Sequence, residues 1–282
     1  DDLDASLVGM VLTSQLYKNM IDKNPKDSVS LKNFYKMDNF YLPEKYFKIK
    51  DISNLLNLPR ETVRRKKEKI IKDNLIKYDK KSKMYGLNTD MIDHRLIKIQ
   101  IENLSKFLSK FSIFFSKNRL FVREVSKDKI KNDIEQKFLI YFIKFLDFQI
   151  SYFSKCKTLI DIESVFIVLL CSLNTTSQIR KKDNPVFSSK EMSSSLNSYN
   201  GTYGLNATSI SEITKVPRTT VLRKISSLEK NGMLKKDKFK RYTSGDLNKI
   251  NDSKKLISIL DYNIKLIGTF FSECLETYSA KN

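Results

Sequence analysis

The stretch PRETVRRK at residues 59–66 recurs almost unchanged as PRTTVLRK at residues 217–224. A shift of 158 residues aligns residues 52–83 with residues 210–241, and 12 of those 32 positions are identical. An internal repeat and its spacing indicate the architecture of a chain. A spacing of 158 residues is far longer than the repeat of a solenoid, so the pattern predicts a duplicated domain.

The second copy has the pattern of two helices joined by a short turn. Ser209 is expected to cap a helix over residues 210–214, because a serine hydroxyl accepts from free N–H groups in a first helical turn. Pro217 is suited to the first position of the next helix, and Gly232 to its end, where a positive φ is needed. The second helix is expected to bury one face at helical spacing: Val221, Ile225 and Leu228.

The first copy has the same pattern with different residues. Asp51 is the expected cap of its first helix, and Val63 and Ile70 are the expected buried residues of its second. Asp73-Asn74 is expected to end that helix. The spacing of these positions matches that of the second copy.

A basic hairpin is expected after the second helix in each copy. Its strands are at residues 75–79 and 84–87 in the first copy, and at residues 233–237 and 241–243 in the second. Two helices and a hairpin in this order predict a winged helix-turn-helix. A small helical subdomain with a solvated basic face is the alternative for one copy. That both copies keep Pro-Arg-x-Thr-Val-x-Arg-Lys favours a functional surface, because solvation alone does not require matching arginines.

The charge balance indicates a polyanionic partner. The net charge is +20, which favours nucleic acid, although an anionic membrane surface also fits. Lysine is abundant throughout, so a general compositional bias accounts for part of the excess. Arginine is more informative, because its fork matches guanine edges and phosphates. Six of the ten arginines fall in the two copies: Arg60, Arg64, Arg65, Arg218, Arg223 and Arg241.

Residues near the start of each second helix are expected to contact base edges of double-stranded DNA. They are Arg60, Glu61, Arg64 and Arg65 in the first copy, and Arg218, Thr219 and Arg223 in the second. Thr62, Thr220 and Lys224 are further residues expected to bind DNA. The hairpin residues expected to contact backbone or minor groove are Lys80, Lys81, Lys83, Lys238, Lys240 and Arg241. Leu222 stands where the first copy has Arg64, so the two half-sites, about one helical turn apart, are expected to differ in base sequence.

Long amphipathic helices are expected around the two copies, at residues 2–21, 91–115, 127–155, 161–179 and 254–278. The expected apolar stripe of the last helix is Leu256, Leu260, Ile264, Ile267, Phe271 and Leu275. The helix at 127–155 has no counterpart and is expected to link the halves. The predicted fold is mainly α with small β-wings. Two tandem winged helix-turn-helix domains are joined by long helices, with a first half at 1–126, a link at 127–158 and a second half at 159–282.

The segments before the two copies differ in composition. Residues 26–48 are rich in aromatic side chains and are expected to form a loop with short ordered pieces. Those rings are expected to pack over a domain edge rather than stack on bases. Residues 186–208 are rich in Ser, Asn and Gly and are expected to be mobile.

The order of helix, loop, helix-turn-helix, wing and long helix resembles the MarR group of bacterial transcription regulators. The resemblance implies that terminal helices interlock and place two winged units on successive major grooves. It further implies a dimer fused into one chain, a monomer acting as a pseudo-dimer, with a homo-oligomer left open. The wing pattern Asp-x-Arg of that family is absent, and Lys83 and Arg241 are the nearest candidates for a minor-groove residue. An unknown small-molecule effector is expected to bind where the terminal helices meet the winged units.

No catalytic, cofactor or metal site is expected. His94 is the single histidine, and scattered cysteines cannot complete a metal site with it. No glycine-rich phosphate loop is present in the sequence. Cys156, Cys171 and Cys274 are expected to be buried thiols rather than disulfides. Because no catalytic site is expected, the protein is not expected to be an enzyme. No signal peptide or membrane-spanning run is visible, so a cytoplasmic, nucleoid-associated protein is expected.

Three classes of function fit these observations. The first is a sequence-specific DNA-binding transcription regulator, expected on inverted half-sites. The second is a replication initiator of plasmid or phage type, expected on direct repeats. The third is an interaction module whose basic faces meet acidic proteins and which retains no DNA.

Overall fold

The computed structural model describes residues 2–23, 29–36, 41–117, 123–182, 204–246 and 250–278. The helices are α1 (Leu3–Lys23), α2 (Leu31–Phe34), α3 (Ile49–Leu56), α4 (Arg60–Lys72), α5 (His94–Lys117), α6 (Lys127–Gln136), α7 (Phe138–Cys156), α8 (Ile162–Lys182), α9 (Ala207–Thr214), α10 (Arg218–Lys230) and α11 (Ser253–Leu275). Single 3-10 turns lie at Glu44–Tyr46, Thr89–Met91 and Glu276–Tyr278. The strands are β1 (Tyr41–Pro43), β2 (Ile76–Asp79), β3 (Met84–Leu87), β4 (Leu234–Lys236) and β5 (Tyr242–Ser244). The chain is therefore mainly α with small antiparallel sheets, as its sequence predicts.

Two segments share one order of elements: helix, turn, helix, hairpin. We call residues 49–87 the N-terminal motif and residues 207–244 the C-terminal motif. They contain the two copies of the repeated sequence. The predicted order of elements is therefore present in both copies.

The turn between the two helices is built by the same bonds in both motifs. Ser53 Oγ donates to the Leu58 carbonyl at 2.6 Å, and Ser211 Oγ donates to the Val216 carbonyl at 2.7 Å. The following proline, Pro59 or Pro217, precedes α4 or α10. In each motif the serine hydroxyl satisfies the carbonyl group of the residue that precedes the proline. The left-handed residue of each turn is Asn57, with φ 51°, or Lys215, with φ 59°.

The second helix also ends in the same way in both motifs. The Leu75 N–H donates to the Ile70 carbonyl at 3.1 Å, and the Met233 N–H donates to the Leu228 carbonyl at 2.9 Å. This six-to-one bond closes a Schellman motif, which requires a left-handed residue just after the helix. That residue is Asn74, with φ 56°, or Gly232, with φ 74°.

The hairpins form two sheets of different size. In the N-terminal motif β2 pairs with β3, and β1, which precedes the motif, joins the other edge of β3 to give the order β1-β3-β2, in which Leu42 pairs with Tyr85. In the C-terminal motif β4 pairs with β5, and an isolated bridge joins Tyr242 to Leu205, which precedes that motif as β1 precedes the first. Strand β1 lies in the segment expected to be a loop with short ordered pieces, and it is one of those pieces.

The aromatic side chains before the N-terminal motif mainly pack. Phe34 and Phe47 are buried, whereas Tyr46 is exposed. Phe40 lies outside the described residues, as does most of the segment at 186–208 that was expected to be mobile. For Phe34 and Phe47, the expectation of packing is confirmed.

The structure corrects both predicted helix caps. Helix α3 begins after Lys48, and Asp51 lies in its first turn, where a carboxylate still interacts favourably with the helix dipole. Helix α9 is capped by Asn206, whose Oδ1 accepts from the Ser209 N–H at 2.8 Å. Ser209 is therefore the partner of the cap rather than the cap itself.

The predicted link at residues 127–158 is two helices rather than one. Helices α6 and α7 are separated at Lys137, whose φ of −116° and ψ of 38° are not helical. In α11 the predicted stripe is confirmed at Phe271 and Leu275, which are buried. It is wrong earlier in the helix, where Leu260 and Ile264 are exposed and Ile259 and Asn263 are buried instead.

The chain divides into two compact units, each with its own apolar core. The larger unit comprises residues 4–154 and 262–282, and the smaller unit comprises residues 1–3 and 155–261. The core of the larger unit draws on α1, α5, α6, α7 and the end of α11. The core of the smaller unit draws on α8, α9, α10 and the β4–β5 hairpin. Residues 127–154 of the predicted link and the end of α11 belong to the larger unit.

A buried lysine distinguishes the cores of the two motifs. Lys67 occupies the position of Ile225 and is only 6% exposed. Its Nζ lies 4.3 Å from the centre of the Tyr85 ring and donates to the Phe47 carbonyl at 3.4 Å. Burial lowers the pKa of Lys67, and the charge of Glu44 opposes that change in part.

We expect Lys67→Met to raise the stability of the protein at pH 7 by about 1 kcal/mol, since an apolar residue of similar length avoids burying a charge. A lowered folded-state pKa means that the unfolded chain holds the proton more tightly, so wild-type stability rises as pH increases through that pKa. The advantage of the variant should therefore shrink between pH 7 and pH 10 in chemical denaturation. The reverse change, Ile225→Lys, is the matched control and should destabilise. A less stable Lys67→Met would show that the contacts with Tyr85 and Phe47 outweigh desolvation.

Candidate nucleic-acid interface

Helices α4 and α10 bury one face and expose the other. Val63 and Val221 occupy equivalent positions, and both are fully buried. Because the apolar face is turned inward, the basic face of each helix is turned to solvent. The exposed predicted contact residues on these helices are Arg60, Glu61, Arg64, Arg65, Arg218, Thr219 and Arg223.

Three predicted contact residues are less accessible. Thr62 and Thr220 are half-buried. The Lys224 ammonium is 2.8 Å from Asp161 and 3.3 Å from Glu163, at the start of α8. Burial alone would raise the pKa of Asp161, but hydrogen bonds from Lys224 and Ser164 hold that pKa below its usual range. Lys224 is thus placed to join α10 to α8.

Two carboxylates surround Arg64. Its Nε and Nη2 donate to the two carboxylate oxygens of Glu61 at 3.0 Å and 2.6 Å, and its Nη1 donates to Glu68 at 2.7 Å. All three side chains are more than half exposed. The hydrogen bond from Arg64 lowers the pKa of Glu61, so this carboxylate stays charged. Glu61, predicted to contact a base edge, has both carboxylate oxygens occupied by Arg64. The predicted contact list contains Glu61 and Arg64 but omits Glu68.

The C-terminal motif orients an arginine in a different way. Arg218 Nε donates to Thr208 Oγ1 at 3.3 Å, which connects the starts of α9 and α10. In place of the carboxylates around Arg64, this motif has Thr219 and Ser226. The two basic faces therefore differ in charge as well as in sequence.

Each hairpin turn is anchored by an aspartate at an equivalent position. Asp79 Oδ1 accepts from the Lys81 N–H at 2.9 Å, and Asp237 Oδ1 accepts from the Phe239 N–H at 2.8 Å. An Asp side chain that bonds to the backbone two residues on is an Asx turn, which fixes a tight loop. The hydrogen bond from Ser82 lowers the pKa of Asp79.

The predicted cations of the hairpins lie on these turns. Lys80, Lys81, Lys83, Lys238 and Lys240 are exposed, and Arg241 is half-buried. The exposed ammonium groups at each turn can approach a phosphate backbone without rearrangement of the strands.

Phe239 is a further candidate contact residue that was not among the predicted ones. It is 53% exposed at the tip of the second hairpin, with Lys238 Nζ and Arg241 Cζ each 5.2 Å from its ring centre. An exposed phenylalanine between two cations can stack on a base or wedge between base steps. The indication available in the sequence was an aromatic residue inside a turn of otherwise polar side chains.

The structure shows where the other candidate chemical groups lie. His94 begins α5 and stacks on Tyr35, with ring centres 4.0 Å apart. All three cysteines are free and buried, as predicted, and burial raises the pKa of both Cys171 and Cys274 to about 12. Within the described ranges, no three His, Cys, Asp or Glu side chains are grouped so as to hold a metal ion.

A cavity of about 400 Å³ lies among the long helices of the larger unit. Its wall comes from α5, α7 and α11 and is almost wholly apolar, with rings from Phe107, Phe145, Phe148, Phe270 and Phe271. Its size falls within the range of small-molecule sites. The expected effector site was at the junction of terminal helices and winged units, whereas this cavity is walled by the long helices.

In the part of the chain that the structure describes, no helix combines the length and the apolar character needed to cross a bilayer. Comparison with protein-family models, with curated proteins and with solved structures finds no match for this chain.

Proposed function

We propose that the chain is a sequence-specific transcription regulator that binds double-stranded DNA through two winged helix-turn-helix motifs. In this proposal α4 and α10 enter the major groove, and the β2–β3 and β4–β5 hairpins contact backbone or minor groove. One chain carries two recognition helices, so a monomer acts as a pseudo-dimer.

One observation carries the proposal. The two motifs keep the same turn bonds and helix ends, and they expose arginines at the same positions of the second helix, Arg60 with Arg218 and Arg65 with Arg223. Fold maintenance explains the buried positions, but it gives no reason for paired exposed arginines. A DNA backbone or guanine edge does, because the guanidinium fork matches both.

Selection of bound sites from random double-stranded DNA tests the proposal directly. Enrichment of two inverted half-sites supports a regulator. Enrichment of direct repeats would favour the replication initiator instead, in which each motif binds one repeat. No retention of DNA would leave an interaction module for acidic proteins.

We expect the basic residues to separate into two roles on the selected site. Arg218→Ala should weaken binding by about 1–3 kcal/mol and relax the preference at one base position, because Arg218 is near the start of α10. Lys238→Ala should weaken binding to every sequence alike, because Lys238 is on the hairpin turn. Both effects can be measured by fluorescence anisotropy on a panel of single-base variants.

The control is Lys255→Ala, which removes an exposed charge from α11 outside both motifs and should change little. Equal, sequence-independent losses for Arg218→Ala and Lys238→Ala would show that the assignment of roles is wrong.

A further inference from the structure

The contacts of Arg64 use only part of its hydrogen-bonding capacity. A guanidinium has five N–H donors. Glu61 accepts one from Nε and one from Nη2, and Glu68 accepts one from Nη1. One N–H therefore remains on each of the two terminal nitrogens.

The two carboxylates also restrict where the guanidinium lies. Glu61 contacts Arg64 in a bidentate way from the preceding helical turn, and Glu68 contacts it from the following turn. A long side chain held from both sides loses much of its rotational freedom before any ligand arrives. Exposed ion pairs such as these add little to the stability of the fold, so their main effect is on the orientation of the Arg64 guanidinium.

We propose that Glu61 and Glu68 are positioning residues that hold Arg64 so that its terminal nitrogens contact O6 and N7 of a guanine in the half-site of the N-terminal motif. The inference rests on the proposed DNA-binding function. Guanine O6 and N7 are two acceptors side by side on the major-groove edge, and paired donors from one arginine match them. Arg64 lies in the first part of α4, from which side chains reach base edges in helix-turn-helix proteins.

The location of the two carboxylates indicates that they position Arg64 rather than act only through their negative charge. Negative groups on a DNA-facing surface repel phosphates and lower affinity for every sequence. Glu61 and Glu68 nevertheless lie on the most basic helix of the chain, and both contact the same arginine. The two carboxylates lower the affinity of the protein for DNA of any sequence. This loss is offset if they sharpen the contact of Arg64 with one base.

The C-terminal motif has none of these three side chains. Thr219, Leu222 and Ser226 occupy the positions of Glu61, Arg64 and Glu68. The guanine preference that Arg64 confers should therefore belong to the half-site of the N-terminal motif only. Transfer of all three residues should transfer that preference.

The test measures affinity for the wild-type selected site and for duplexes in which the guanine is replaced by 7-deazaguanine or by another base pair. Wild type should discriminate against the replacements by on the order of ten- to a hundredfold. Glu61→Ala should reduce this ratio by about tenfold, while its affinity for random-sequence DNA is unchanged or rises. The discrimination ratio of Glu61→Gln, which keeps one acceptor oxygen, should lie between those of wild type and Glu61→Ala. Glu61→Ala should have no further effect on the ratio when Arg64→Ala is already present.

Asp73→Ala is the matched control, since it removes a carboxylate from the other end of the same helix. It should leave the discrimination ratio unchanged. Circular dichroism and thermal melting check that the variants are folded, which the exposure of these side chains favours. The triple change Thr219→Glu, Leu222→Arg and Ser226→Glu should create a guanine preference in the other half-site.

Two results would overturn the inference. One is that Glu61→Ala strengthens binding to all sequences equally and leaves the ratio intact. The other is that Asp73→Ala reduces the ratio as much as Glu61→Ala does. Failure of the proposed sequence-specific DNA binding has a different appearance, because wild type would then enrich no site at all. A wild-type site without a guanine that depends on Arg64 would refute the inference and leave DNA binding in place.

Discussion

Raising salt from 50 mM to 200 mM is expected to weaken DNA binding by about a thousandfold or more. If the two motifs together neutralise roughly six to ten phosphates, log K should fall against log salt with a slope between about −5 and −9. The physical reason is the release of counterions from DNA when exposed cations replace them. A chain with net charge +20 and exposed lysines on both hairpin turns has the groups that this requires.

The slope can be measured by anisotropy titrations on one duplex at several salt concentrations. Removal of Lys80, Lys81 and Lys83 together should make the slope less steep by up to about three, because each phosphate contact contributes about 0.9. A wild-type slope close to zero would remove DNA binding as the function.

One chain should suffice for a full site whose halves differ in sequence. Two identical helices in a homodimer require a palindrome, because the symmetry of the site mirrors that of the protein. Here the two helices belong to one chain and differ at Glu61 and Arg64. Each replaced base pair weakens binding by about 1–3 kcal/mol, roughly additively. Replacing three contacted pairs in either half should therefore cost at least about 3 kcal/mol.

Light scattering of the complex on a selected site gives the number of chains bound, and base-by-base substitution gives the preference of each half. Exchanging Arg64 and Leu222 between the motifs should move the base preference from one half of the site to the other, whereas making both halves of the site identical should weaken binding. Two chains on a perfect palindrome would contradict the pseudo-dimer and make each chain one arm of a larger assembly.

The element order of both motifs could be predicted because it is determined by local chemistry. The spacing of Val221, Ile225 and Leu228 decides which face of α10 is buried, and all three are buried. Asn231-Gly232 ends that helix because glycine takes the left-handed conformation without strain. Each of these features depends on residues that are close together in the chain. Because the sequence is duplicated, the same pattern is present in both copies.

Features that depend on distant partners were not predictable in the same way. The break at Lys137 carries no glycine or proline, so no local residue indicates it. The burial of Lys67 depends on Tyr85 and Phe47, which are far away in sequence. The cap of α9 is Asn206 rather than the expected Ser209, and both are residue types that favour the cap position.

The contacts of Arg64 are an intermediate case. Glu61 and Glu68 stand three residues before and four residues after it, which are the spacings at which helical side chains meet. Those spacings were sufficient to predict the two ion pairs. Glu61 contacts Arg64 rather than standing free for the base contact that its position predicts.

The Asx turns separate the shape of each hairpin tip from its surface. Asp79 and Asp237 hold the backbone of the two turns, whereas the next-but-one residue is Lys81 in one and Phe239 in the other. A loop held by such a carboxylate tolerates substitution at its exposed tip positions other than Lys83 and Lys240, which adopt a positive φ of 53° and 58°. Protein engineers could therefore randomise the tip residues of either hairpin as a display library, with the anchoring aspartate kept, and recover folded variants with new surface chemistry.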